Sequence, residues 1–150
     1  MRRMLVTGIA VFAALAVWAN AAGAGLFSST GPVIAILAGS LFLGEAVGHF
    51  DGSGTIRIQS RVKPDVTCRG RFTSSAALGG LGQMRCSDGA TATFYFQRLS
   101  VYSGYGGGNF SRGSMSFAYG LTAEEAGPYL KLPAGKRLTH NGTELELLDL

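Results

Sequence analysis

The sequence predicts a mainly β protein: a small antiparallel sandwich or barrel-like sheet, with an apolar helix at its N-terminus and a short helix near its C-terminus. Three observations predict it. After Leu41 apolar and polar residues alternate with a period of two over most of the chain. Turn signals such as Asp51-Gly52 and Asn141-Gly142 break that alternation about every ten residues. Glycine is abundant, 23 of 150 residues, but follows no collagen-like period, so it serves turns and bulges.

The length allows one domain. Charged residues are sparse at 15%, and the formal net charge is +4. Without Arg2 and Arg3, the 13 basic side chains fall to 11 against 9 acidic ones. So small and scattered an excess lacks the clustered basic face that nucleic acid needs, and no nucleic-acid partner is expected.

Residues 1–21 open with two arginines, continue through an uncharged apolar run at 4–19, and end in Ala19-Asn20-Ala21. That order describes a signal peptide, and the run is a little short of the roughly 20 residues that cross a bilayer; a retained membrane anchor is the alternative. Both readings keep the arginines in the cytoplasm and export the chain beyond Ala21 to the periplasm or cell envelope. Residues 22–43 form an apolar connecting segment, uncharged from Gly31 to Gly44, with Pro32 where a helix could begin. The stretch 32–43 is open to three readings, a second membrane helix, a core helix or a first strand, with its length of about a dozen residues against the first. Membrane association through residues 4–43 is the consequence of the first of these.

Residues 44–150 form the β domain. "EAVGHF" leads through the Asp51-Gly52-Ser53-Gly54 turn into "TIRIQS", and Pro64-Asp65 marks the next turn. "CRGRF" and "GQMRC" then pair, followed by "ATATFYFQRLSVY", where Phe94 and Phe96 alternate with Thr93, Tyr95 and Gln97. "SGYGGGNFSRG" is too glycine-rich for a regular element, and "SMSFAYG" returns as a strand with Met115 and Phe117 on one side. Thr122 with Glu125 three residues on makes a capping box for a helix of one or two turns, stopped at Gly127-Pro128. Asn141-Gly142 centres a last hairpin.

Cys68 and Cys86 are the only cysteines. Setting them opposite each other places Gly70 against Met84 and Phe72 against Gly82 on one face. Arg69 then faces Arg85 and Arg71 faces Gln83 on the other. Every pair sorts apolar from polar, as a correct register must. Opposed strand residues lie within disulfide reach. A zinc site has no ligand spacing to rest on, even with His49 and His140, and there is no C-x-x-C, so the pair reads as a structural disulfide of an exported chain.

"GEAVGHFDGSGTIRI", "CRGRF", "GLGQMRCSDGATATFYF" and "SGYGGG" together make residues 44–120 resemble a group of small, uncharacterised bacterial envelope proteins with a cysteine-containing β domain built on DGSG and CSDG turns. The resemblance implies an envelope location and a β fold, and no activity. Members are often lipoproteins, whereas Ser40 stands where a lipid-bearing cysteine would be.

No catalytic residue is assigned. His49, Asp51 and Ser53 are close enough to form a base and nucleophile, but Asp51 is what an Asp-Gly turn requires and no G-x-S-x-G accompanies it. Arg57, Arg69, Arg71 and Arg85 are a candidate anion-binding set, because directly opposed arginines repel by a few tenths to about 1 kcal/mol, which solvent screening, a carboxylate from Asp65 or Asp88, or an anionic partner must offset. Tyr102, Tyr105, Phe110 and Tyr119 are a candidate aromatic contact loop. No cofactor or metal is expected. The favoured role is a non-enzymatic envelope module acting by binding or structural support, with an envelope protein or anionic lipid as partner. The alternative is an accessory subunit of an inner-membrane complex, held by one or two N-terminal helices.

Overall fold

The computed structural model describes residues 28–75 and 79–150; the expected N-terminal apolar helix lies outside the described residues. Eight strands form one closed antiparallel barrel in chain order: β1 (Ser28–Leu37), β2 (Ser40–His49), β3 (Ser53–Ser60), β4 (Thr67–Ser75), β5 (Gly79–Cys86), β6 (Thr91–Arg98), β7 (Gly104–Phe110) and β8 (Gly113–Tyr119). Each strand pairs with the next, and β1 closes the ring on β8 through Val33↔Tyr119 to Leu37↔Met115. Of the two expected architectures, barrel and sandwich, the chain adopts the barrel.

The apolar stretch at 32–43 is neither membrane helix nor core helix. It supplies most of β1 and the start of β2, joined at Ala38-Gly39. Both turn residues have positive φ, 47° and 79°, as a two-residue hairpin turn requires. Val33, Ala35 and Leu37 point into the barrel, while Ile34 and Ile36 point outward into a second buried cluster. A strand buried on both faces shows no alternation, which is why it resembles a helix in sequence. The barrel therefore includes residues upstream of Gly44, from Ser28 among the described residues. No helix among the described residues is long and apolar enough to cross a membrane. Ser40 opens β2, so processing there would remove β1 from the ring.

That outer cluster is covered by the C-terminal segment. Thr122 caps the four-residue helix α1 (Ala123–Ala126), its Oγ1 accepting from the Glu125 N–H at 3.2 Å. A 3-10 turn over Gly127–Tyr129 follows. Strands β9 (Lys136–Asn141) and β10 (Glu144–Asp149) form a separate two-stranded sheet outside the barrel. Ala126, Leu130 and Leu145 pack with Ile34, Ile36, Leu41 and Ala118. Arg61 fastens this cover by donating from Nη2 to Glu144 Oε2 at 2.8 Å and from Nε to the Leu145 carbonyl at 3.3 Å.

Inside the barrel, aromatic rings alternate with glycines across neighbouring strands. Phe94 stands between Gly82 and Gly108, and Phe96 between Gly80 and Gly106. A Cβ on Gly82 would meet Phe94 Cζ at 2.3 Å, and one on Gly106 would meet Phe117 Cζ at 2.8 Å. Hence the segment expected to be irregular, "SGYGGGNFSRG", contains strand β7: its glycines 104, 106 and 108 are the floor beneath inward-pointing rings. The rings meet edge to face, Phe72 with Phe96 at 5.4 Å and Phe94 with Phe117 at 5.5 Å.

Cys68 and Cys86 form a disulfide between directly opposed residues of β4 and β5, with the expected register realised over all five pairs. Ser87 N–H donates to the Thr67 carbonyl at 2.8 Å, so the cysteines occupy the closer, non-hydrogen-bonded kind of pair. Both are buried in the barrel core. Closing a loop with sequence separation 18 is worth about 3 kcal/mol in the chain-entropy model. The paired substitution Cys68→Ala/Cys86→Ala is expected to lower the unfolding free energy by about 2–4 kcal/mol in urea titrations. An unchanged midpoint and slope would contradict the stapling role.

Candidate functional site

The outward face of β3 to β6 carries polar residues in cross-strand rows. Arg57 faces Arg69, and Arg69 faces Arg85, forming one line of three guanidinium groups across three strands. Arg71 lies one row over, between Thr55 and Gln83. All four side chains of the expected anion-binding set therefore share one flank. They border a shallow surface depression that Thr91, Thr93 and Asn109 continue. Inside the barrel the same strands are apolar, the inverse of a transmembrane barrel, which turns an apolar band outward.

Elsewhere three cations have carboxylate partners, while Lys63, Arg98, Lys131 and Arg137 have no ion pair among the described residues. Arg112 Nη1 pairs with Asp88 Oδ2, Lys136 Nζ with Asp149 Oδ1 at 2.6 Å, and Arg61 with Glu144. None of the four flank arginines has an ion pair among the described residues. Glu45 faces Arg57 in register without bridging to it. Asp88, one of the two carboxylates expected to neutralise the row, is turned to Arg112 instead.

The expected aromatic contact loop does not exist as a unit. Tyr102 alone stands exposed, in the connection from β6 to β7. Tyr105 points outward and stacks on Tyr129 with ring centroids 4.3 Å apart, its hydroxyl donating to Gln97 Oε1. Phe110 and Tyr119 point inward against the core. Strand alternation separates the four because Tyr105 has the opposite parity to Phe110 along β7.

His49, Asp51 and Ser53 make a turn. Asp51 Oδ1 accepts from both the Ser53 N–H at 2.9 Å and the Ser53 hydroxyl at 2.6 Å. Those bonds hold the Asp51 carboxyl below its ordinary range. The hydroxyl is thus donated to the carboxylate rather than to an imidazole. His140 lies 3.9 Å from Glu124 on the surface. No cluster of metal-ligating side chains occurs among the described residues.

One feature was missed in the sequence. At the end of the barrel where β1 begins, a cavity of about 80 Å³ opens among Phe72, Phe94, Phe96 and Phe117. Arg98 and Tyr119 enter its lining, in one cross-strand row on either side of Gly104. The signal lay in the alternation Phe94, Phe96, Arg98, which puts a guanidinium at an inward position. Phe50, Val101 and Tyr102, exposed at 87%, 71% and 68%, project from turns at this same end. Comparison with known protein families, characterised proteins and solved structures finds no match to this chain.

At the opposite end, Asp88 accepts from the Ala90 N–H at 3.1 Å and pairs with Arg112, tying the β5–β6 turn to the β7–β8 turn. The Ala90 bond chiefly, and Arg112 beside it, hold the Asp88 carboxyl below its usual value of 3.8. A depressed carboxyl stabilises the fold above the unfolded-state value and loses that contribution as pH falls through the folded one. Asp88→Asn is therefore expected to lower the urea midpoint at neutral pH, with the difference from the parent shrinking below about pH 4. A gap that stays constant to about pH 2 would contradict this assignment.

Proposed function

We propose that this protein is a non-enzymatic binding module of the cell envelope that docks on an anionic lipid surface through the flank bearing Arg57, Arg69, Arg71 and Arg85. The observation that carries the proposal is the row of arginines, Arg57, Arg69 and Arg85, directly opposed across three neighbouring strands without a carboxylate partner. Opposed like charges are unfavourable, and a phosphate-bearing surface turns that cost into attraction. Arginine suits phosphate oxygens because its planar fork donates two parallel hydrogen bonds.

The disulfide supports an exported location, since such bonds persist outside the reducing cytosol. The filled barrel supports an external docking surface, because most of its interior is occupied by rings and aliphatic side chains. A second reading, an accessory subunit at the inner membrane, is favoured by one observation. The chain enters the barrel at Ser28, at the end that exposes Phe50, Val101 and Tyr102.

Each basic residue near an anionic leaflet contributes about 1 kcal/mol. Arg69→Glu/Arg85→Glu is therefore expected to weaken binding to phosphatidylglycerol vesicles at least about tenfold. Binding by the parent is expected to fall with added salt. Undiminished sedimentation of the double variant with these vesicles would overturn the docking assignment.

A further inference from the structure

The cavity at the β1 end of the barrel has a polarity that the rest of the interior lacks. Its depth is lined by Phe72, Phe94 and Phe117, and its upper wall by Arg98 and Tyr119. Register explains how the two polar groups meet. Arg98 of β6 faces Gly104 of β7, and Gly104 faces Tyr119 of β8, all in one inward row. The missing side chain at Gly104 lets the phenol lie across it: a Cβ there would stand 2.4 Å from the Tyr119 hydroxyl oxygen. Tyr119 is held from the other side by Phe96, edge to face at 5.6 Å.

Both groups are positioned and under-used. Arg98 donates from Nη2 to Ser74 Oγ at 2.8 Å and from Nη1 to the Val101 carbonyl at 3.1 Å, which fixes the guanidinium plane. Its buried Nε and the buried Tyr119 hydroxyl have no hydrogen-bond partner among the described residues. Burial raises the Tyr119 pKa while the Arg98 charge acts against it, so the phenol keeps its proton to donate. Donors left buried and unmade are costly, and a bound acceptor would remove that cost. No aspartate or glutamate lines the cavity, so the Arg98 charge is unopposed there. The volume is several times the roughly 10–15 Å³ that one water needs. It is smaller than the roughly 150 Å³ apolar cavity that takes benzene.

We propose that this cavity is a binding site for a small amphipathic carboxylate of the short-chain fatty acid class. The chain lies among the phenylalanine rings, and the two carboxylate oxygens accept from Arg98 Nε–H and Tyr119 O–H. Two donors on one wall and an apolar floor match one head and one tail. The site is separate from the arginine flank, which lies on the outward face of β3 to β6, and it does not depend on docking there.

Propionate is the probe, titrated into the full-length protein and followed by calorimetry and by amide chemical shifts. Saturable binding is expected, with shifts at residues around Arg98, Gly104 and Tyr119, and with 1-propanol binding more weakly because it lacks the anion. Tyr119→Phe is expected to weaken propionate about tenfold while leaving thermal stability equal or higher, because it deletes an unsatisfied buried hydroxyl. Ala46→Leu, which places extra carbons in the cavity, is expected to abolish binding in a protein that still folds. Absence of saturable binding, equal affinity for 1-propanol, or unchanged affinity in folded Tyr119→Phe would each overturn the proposal.

Discussion

An eight-stranded barrel has an interior just wide enough for side chains to fill it, so an aromatic ring pointing inward requires neighbours with almost no side chain. This chain meets that constraint by setting glycine beside phenylalanine on adjacent strands. Gly54, Phe72, Gly82, Phe94 and Gly108 form one such row around half the ring. The disulfide obeys the same limit, filling its row with two small side chains fused across β4 and β5. Where the rule reaches the barrel's end, the row Arg98, Gly104, Tyr119 keeps the pattern of large beside small but substitutes polar atoms for carbon. The cavity there is thus a product of the packing rule rather than a flaw in it.

The exterior is divided by the same economy of elements. Helix α1 and the β9–β10 hairpin cover outward residues of β1, β2 and β8, burying Ile34, Ile36, Leu41 and Ala118. The flank formed by β3 to β6 has no cover and turns threonine, glutamine and arginine to solvent. The bare side is also where cationic groups stand opposite one another without internal compensation.

Parts of this were legible in the sequence because a single physical rule governed them. Cys68 and Cys86 could be placed opposite each other because one face of β4 and β5 is buried and the other solvated, and the register that opposes them sorts both strands. The Thr122 capping box and the Asp51-Gly52 turn were legible because local hydrogen bonds fix them. Strand β1 was not, since burial on both faces erases the period of two. Its turn was hidden as well, because Ala38 adopts a positive φ normally signalled by asparagine or glycine. Strand β7 was hidden because its glycines have meaning only when the rings of β6 and β8 are known to lie over them. Tyr119 was read as a surface aromatic for the same reason: its inward direction is set by its place opposite Val33 and Gly104.

The central claim, that ring and glycine are matched across the barrel wall, is tested most directly by a double-mutant cycle between Gly82 and Phe94. Gly82→Ala alone should destabilise by about 1–3 kcal/mol, as overpacking does. In a Phe94→Leu background, where the ring edge 2.3 Å from the added carbon is gone, that penalty should shrink by at least about 1 kcal/mol. Strict additivity of the two substitutions, within about 0.3–0.5 kcal/mol, would contradict the account.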